Sequence, residues 1–368
     1  MEGVSFVVPV HNGAGCVREA LASILAQADG RPMEIIVVDD VSNDGSSMLL
    51  RRLADQWPLR IVVGEGRGAA AAINAGVRAA TFPIICQVDQ DVVLRPGWMP
   101  RLVRELDDPR VGAVQGYYAT DSESTLCARA MGYDLEQRYA AIDGTETTHA
   151  CTGNSAYRAD ALRRVGLFDE DFGYGYDNDL SYRLRAAGYR LVLSRDAQSV
   201  HRWREGLLGY LVQQYGFGYG RIDLVAKHPE RFAGDSVSPV GMMSHPLLMG
   251  LAMLSLSAAL GAYALGASWQ PFALSSATLV SGLVLERLAA GVSAARRFRD
   301  PTPLVFPLLH LGRDLAWVTA MTFWVARRLT GRRSKPRDSM RPRTHEVERG
   351  RSPIEFSRDI PTQSAPPS

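Results

Sequence analysis

The 368-residue sequence is poor in cysteine: Cys16, Cys86, Cys127 and Cys151 are all it has, and no two of them form a CxxC pair. That spacing argues against a disulfide scaffold or a structural zinc site and suits a reducing cytosol. Lysine is scarcer still, with Lys227 and Lys335 alone. No lysine follows a glycine-rich turn and there is no GxGxxG, so P-loop and dinucleotide-oxidoreductase readings lose their support. Neither sign of charge dominates, since 41 basic residues face 39 acidic ones for a net charge of +2. Nucleic-acid binding wants a basic face, so nucleic acid is not the expected partner. No basic run precedes the apolar stretch that opens at Val4, so no secretory signal is expected. An apolar fraction of 46% with 22% charged residues suits a protein that buries a large core, and the length suggests two domains.

One absence is local. Residues 236–285 contain no Asp, Glu, Lys or Arg. A bilayer core takes about 20 apolar residues per helix, so this stretch holds two candidate spans, over 246–268 and 272–285 with an extension to 290. Soluble cores of this size rarely avoid every charge. A third apolar segment, 303–326, is interrupted by His310, Arg313 and Asp314. Charges at mid-membrane depth are costly, so an interfacial or re-entrant helix is expected there. Arginine clusters at 296–299 and 327–333 follow the second and third segments, and two spans plus an interfacial segment put both in the cytoplasm. Residues 331–368, rich in Arg, Ser and Pro, read as a disordered tail.

The first two-thirds reads as α/β. Apolar runs at 4–10, 34–38, 61–63 and 84–88 alternate with helical patterns at 17–26, 46–56 and 69–80. Strands apolar on both faces, separated by helices, imply a mainly parallel sheet covered on both sides. Such sheets bind ligands at the carboxyl ends of their strands. Those ends are polar: Pro9-Val10-His11-Asn12, then Asp39-Asp40 leading into Asn43-Asp44-Gly45-Ser46, then Asp89-Gln90-Asp91. Asp44 or Ser46 caps the following helix. Asp39 and Asp40 abut an apolar strand, where neighbouring carboxylates repel unless something binds them. Asp89 and Asp91 alternate on extended backbone and can reach one ligand, a pattern suited to magnesium bridging carboxylates to phosphates. The glycine-rich turn 64–76 runs into a small-residue helix and allows either close packing or backbone approach to phosphates. A second polar constellation starts at Thr152-Gly153-Asn154, passes Asp169-Glu170 and an aromatic–glycine loop at 172–176, and reaches Asp177-Asn178-Asp179 at the start of a helix. A short strand is expected at 190–193. Segment 112–150 carries no readable pattern.

These motifs in this order resemble glycosyltransferase family 2, enzymes of the GT-A nucleotide-diphospho-sugar transferase fold. The resemblance covers residues 3–205: VVPVHN at 7–12, VVDDxSxDGS at 37–46, the glycine/asparagine block at 66–76, Asp89-x-Asp91, TGNSAYR at 152–158, GLFDEDF…DNDLSYRLRAAGY at 166–189, and AxxVH ending at His201. It implies a nucleotide pocket lined by Pro9, His11 and Asp39, with Gly68, Asn74, Asp89, Gly153 and Asn154 also on the nucleotide-sugar. It implies Mg2+ or Mn2+ on Asp91 and His201, and a catalytic base at Asp177. The family often has Glu-Asp where this chain has Tyr176-Asp177, which leaves Asp179 as the alternative base. It often has Arg where this chain has Ile73.

The expectation is a catalytic domain over 1–235, with an interfacial aromatic and basic helix near 203–221, and a membrane region over 236–330. The expected activity is inverting, metal-dependent transfer of a sugar from a nucleotide-diphospho-sugar to a hydroxyl of a lipid-linked or membrane-proximal glycan acceptor. The expected place is the inner (plasma) membrane, with the catalytic domain cytoplasmic and the product a cell-envelope polysaccharide. QxxRW, the signature of processive synthases, is absent, which favours single-sugar addition. Two rivals stand beside this: a nucleotidyltransferase, and an inactive membrane-tethered nucleotide-sugar-binding module.

Overall fold

The computed structural model describes residues 2–330; the expected tail, 331–368, lies outside the described residues. Strands β1 (Val4–Val10), β2 (Met33–Asp39), β3 (Leu59–Val63) and β4 (Ile84–Val88) are parallel. After them come β5 (Val92–Leu94), β6 (Val111–Ala119), β7 (Glu146–Thr147), β8 (Asn154–Arg158) and β9 (Arg190–His201). The nine strands form one sheet in the order β3-β2-β1-β4-β8-β6-β9-β5, with β7 on β9. Strand β8 runs antiparallel to both β4 and β6, and β6 runs parallel to β9.

Both faces are covered, which is why the early strands read as unbroken apolar runs. Phe6, Val8, Ile35 and Val37 face a core built with α1 (Val17–Leu25), α2 (Ser46–Ala54) and α4 (Trp98–Glu105). Val7, Ile36, Val38 and Ile85 face the opposite core, built with α3 (Ala69–Ala79), α6 (Ala159–Arg164) and α7 (Tyr176–Ala186). The small residues of α3 let it lie close on the sheet: a Cβ at Gly76 meets Val7 Cγ1 at 2.3 Å. The chain reaches β2 on one side of β1 and β4 on the other, so the loops after β1 and β4 sit at the point where strand order reverses. Gln90 ties them together. Its Oε1 accepts from His11 N (2.9 Å) and its Nε2 donates to His11 O (3.1 Å).

The unreadable segment contains β6 and α5 (Leu126–Ala140). Helix α5 carries the C-terminal helices: α8 (Leu207–Lys227), α9 (Val240–Ala264), α10 (Gln270–Phe298) and α11 (Phe306–Leu329). Ala130, Met131 and Tyr133 of α5 share a cluster with Tyr210, Ala294, Phe306 and Leu309. Helices α9 and α10 are long and apolar enough to cross a membrane by length and composition, and leave Leu247, Leu251, Leu254, Leu260 and Leu274 exposed. Both outrun the expected spans, α9 starting before Pro246 and α10 continuing past Glu286 and Arg287 to Phe298.

Two of the expected segments can be described by their packing. The third apolar segment is unbroken. It is one continuous helix, α11, whose His310, Arg313 and Asp314 are buried against α5 and α10 rather than presented to a lipid boundary. Helix α8 packs inward along part of its length. Tyr210, Gln214, Tyr219 and Leu224 are buried, while Leu207 and Leu208 of its first turn stay exposed.

Candidate active site

Strand β4 ends in Asp89-Gln90-Asp91, and β9, twelve residues rather than the expected four, ends in His201. Pairing of β5 with β9 sets Val92 against His201, which brings His201 Nε2 within 3.5 Å of Asp91 Oδ1. Asp89 accepts from Gln87 Nε2 at 2.8 Å. Burial and then the neighbouring charge of Asp91 push the Asp89 carboxyl up to about 7. Gly153 makes this crowding possible. At φ +86 its backbone lies against the carboxylate, and a Cβ there meets Asp89 Oδ2 at 2.5 Å. Burial pushes the His201 imidazole down, with Asp91 opposing, so the neutral ring is favoured. Its Nδ1 is buried without a hydrogen-bond partner.

Helix α7 supplies Asp177 in its first turn, after the left-handed cap Gly175. Burial alone raises that carboxyl, but the adjacent His149 overcomes it and the net shift is downward. Asp89, Asp91, Asp177 and His201 line one cavity of ≈ 490 Å³, together with Thr152 and Ala69. The same cavity continues to Gln214 and Arg221 on α8 and to His310 and Trp317 on α11.

Several expected residues are committed elsewhere. Asp179 is fully buried, with Oδ1 on Lys227 Nζ (2.6 Å) and His228 Nε2 (2.8 Å) and Oδ2 on Arg183 Nη2 (2.7 Å). It is not among the residues lining the cavity, whereas Asp177 is. Asn74 is spent on a clasp: Nδ2 donates to Phe168 O (2.8 Å) and Glu170 Oε1 (3.0 Å), and Oδ1 accepts from Phe168 N (3.0 Å). Asn154 is buried beneath the site, where its Oδ1 accepts from Trp98 Nε1 at 2.6 Å. Neither asparagine side chain reaches the cavity. Asp40 needs no ligand to relieve it, because Gly66 N (2.7 Å) and Gly68 N (2.9 Å) donate to its two oxygens. Gly68 thus shapes the turn before α3 through Asp40. Asp39 accepts from Ser42 N (3.1 Å) and from Ser47 Oγ. Half-buried Pro9 and His11 lie at the end of β1 beside it, His11 Nδ1 donating to Asp40 O at 2.8 Å. The cap of α2 is Gly45, with Asp44 Oδ1 accepting from Ser46 N at 3.0 Å.

A cation fits at Asp91 and His201. Two crowded carboxylates, one pushed to about 7, lack a positive charge, and a neutral imidazole 3.5 Å away completes an oxygen and nitrogen donor set. His149, Cys151 and Asp177 also bring one donor atom each within 4.8 Å of one another. A thiol in that set does not suit Mg2+ or Mn2+.

The Glycosyl transferase family 2 description matches residues 5–166. The pre-mycofactocin glycosyltransferase of Mycobacterium tuberculosis is 29% identical over 255 residues, 67% of this chain and 52% of its own length. The chain carries a glycosyltransferase family 2 domain. A poly-β-1,6-N-acetyl-D-glucosamine synthase of Staphylococcus aureus is 24% identical over 200 residues, 52% of this chain and 48% of that one. The chain therefore spans about half the length of the curated relatives it matches. Its fold is GT-A. A mannosyltransferase from Pyrobaculum calidifontis, PcManGT in complex with GDP-Man and Mn2+, superposes with a TM-score of 0.54 at 21% identity, covering 85% of this chain and 86% of that one. The family match ends before Asp177 and His201, so both residues stand on the geometry of the cavity.

Proposed function

We propose that this glycosyltransferase moves a sugar from a nucleotide-diphospho-sugar to a hydroxyl of a membrane-proximal glycan or lipid-linked acceptor, with inversion at the sugar carbon. The observation that carries the reading is the single cavity in which Asp89, Asp91 and His201 face Asp177. Asp91 and His201 are the residues that hold Mg2+ or Mn2+. Bound there, a divalent cation would supply positive charge for a leaving diphosphate. Asp89 and the backbone at Gly153 border the same end and orient the donor. Asp177, ionised at neutral pH, takes the proton from the acceptor hydroxyl while that oxygen attacks the sugar carbon from the side opposite the diphosphate. No second carboxylate is required as a nucleophile. The two apolar helices support a membrane-bound enzyme, with the catalytic domain on the cytoplasmic side where nucleotide-sugars are made. The names of the two curated relatives support a role in glycan assembly.

The test is release of nucleoside diphosphate from UDP-N-acetylglucosamine, UDP-glucose and GDP-mannose with Mn2+, with and without a membrane lipid extract. Asp177→Asn is expected to lower turnover by about a thousandfold while donor binding, read by calorimetry, stays within about twofold. Retained turnover in that variant removes Asp177 as base. Pyrophosphate as the product in place of nucleoside diphosphate replaces this reading with a nucleotidyltransferase.

A further inference from the structure

Asp177 does not stand alone in the cavity wall. His149 lies between β7 and β8, is 6% exposed, and places Nε2 3.3 Å from Asp177 Oδ2. Its other ring nitrogen, Nδ1, lies 3.8 Å from Asp235 Oδ1. Three segments distant in sequence therefore bring a carboxylate near each ring nitrogen of one imidazole. Asp235 comes from the connection between α8 and α9, and its side chain is 1% exposed. It is held firmly: Oδ1 accepts from Val237 N (3.0 Å) and Ser238 N (2.8 Å), and Oδ2 accepts from Asn178 Nδ2 (2.9 Å) and Tyr182 OH (3.1 Å). Ser236 next to it anchors the connection by accepting from Thr148 N at 2.9 Å. A histidine that merely fills space has no need of a carboxylate on each side. Burying two carboxylates this close costs several kcal/mol unless a positive charge sits between them.

We propose that His149 is a positioning residue for Asp177: as an imidazolium held between Asp177 and Asp235, it keeps the base ionised and fixes the direction in which its carboxylate meets the acceptor hydroxyl. This rests on the reading of Asp177 as base. The groups that face His149 are Asp177 and Tyr182 from α7, Asp235 from the connection, Arg221 of α8 behind Asp235 at 3.6 Å, and Cys151 of its own segment, with Sγ 3.9 Å from Nδ1. Burial disfavours the charged ring, but Cys151 and Asp177 overcome it and the net shift is upward. Burial likewise raises Asp235, and His149 and Arg221 reverse it. The stability that His149 contributes is present at low pH and is lost as pH rises through its raised value.

Two readouts test this on the full chain in detergent micelles. The first needs no substrate. Among the signals of the seven histidines in isotope-labelled protein, the one that disappears in His149→Gln is expected to keep both ring protons above the ordinary imidazole range. In Asp235→Asn, which leaves His149 in place, that signal is expected to lose its second proton at least one pH unit lower. The second readout is nucleoside diphosphate release from UDP-N-acetylglucosamine and GDP-mannose with Mn2+. His149→Gln is expected to lower kcat about a hundredfold with donor KM unchanged, and to move the acid limb of the pH profile upward by about one unit. A His149 ring that is neutral at pH 7 overturns the proposal, as does a wild-type pH profile in His149→Gln. Turnover that survives Asp177→Asn removes the base assignment instead, and leaves the histidine signals to report on the Asp235–His149 pair by themselves.

Discussion

At the scale of single residues, the site is a problem of charge. Asp89 is the clearest case. Its folded carboxyl sits at about 7 against an ordinary value of 3.8, so between those values the folded chain holds a proton that the unfolded chain has released. Stability therefore falls as pH rises from about 4 to about 7, and a cation beside Asp89 and Asp91 restores what is lost. Mn2+ is expected to raise the melting temperature by about 5 °C at pH 8 and by far less at pH 5. Asp89→Asn is expected to raise the cation-free melting temperature at pH 8 and to blunt the Mn2+ response. Equal Mn2+ shifts at the two pH values would falsify the link. The rule that ligands gather at strand ends pointed to Asp89 and Asp91, and the family resemblance pointed to Asp177; the three line one cavity. It could not tell a free polar side chain from a spent one. Asn74, Asn154, Asp40 and Asp179 look as functional as their neighbours, but their partners come from Phe168, Trp98, Gly66 and Lys227, and no local pattern announces such pairings. His149 was missed for the same reason, because its two carboxylates arrive from residues 177 and 235.

At the scale of elements, legibility followed packing. Strands β1, β2 and β4 are buried on both faces and read as apolar runs. Strand β8 has the composition NSAYR, and β6 and α5 lie where neighbours cover them from several sides, which erases the alternation that sequence reading depends on. Helix α8 shows a related effect. Its aromatic and basic residues look interfacial, whereas its glycines are what set its place. A Cβ at Gly220 meets Tyr174 O at 2.6 Å, and one at Gly218 meets the backbone of Trp317 at 2.8 Å. The helix is therefore held between the aromatic loop of the cavity and α11, and Trp317 Nε1 donates to Gln214 Oε1 at 3.3 Å. In an open helical position Gly→Ala stabilises by up to about 1 kcal/mol. Gly209, whose added Cβ finds nothing nearer than 3.7 Å, is expected to follow that rule. Gly220→Ala is expected to cost about 2 kcal/mol instead, because the atom it meets is backbone and cannot swing aside. Chemical denaturation of both variants checks the contrast, and a stabilised Gly220→Ala would mean that α8 is not clamped by Tyr174.

At the scale of the whole molecule, the charge-free run after Ser236 marks correctly where the chain turns apolar, but packing does not divide there. Tyr133 of α5 stacks on Phe298 of α10 at 4.9 Å, and Asp134 of α5 faces His310 and Arg313 of α11. Arg287, on a helix apolar enough to cross a bilayer, is 1% exposed and places Nη2 2.6 Å from Asp314 Oδ2. Composition shows such an arginine only as an interruption, since its partner lies 27 residues away on another helix. Buried pairs of this kind contribute little net stability, yet losing one partner leaves a bare charge in a medium that cannot solvate it. Arg287 and Asp314 thus act as a latch that fixes α10 to α11, and α11 walls the cavity through His310 and Trp317. Arg287→Leu is expected to destabilise the detergent-solubilised enzyme by about 3 kcal/mol, because Asp314 keeps only Arg313, 3.6 Å away. Arg287→Leu with Asp314→Leu removes both charges and is expected to recover most of that loss. Both variants should stay in the membrane pellet after an alkaline carbonate wash, since neither shortens an apolar helix. A single variant as stable as the double would show that the latch carries no load, and that the long apolar helices and the cavity wall are held together by the apolar cluster on α5 alone.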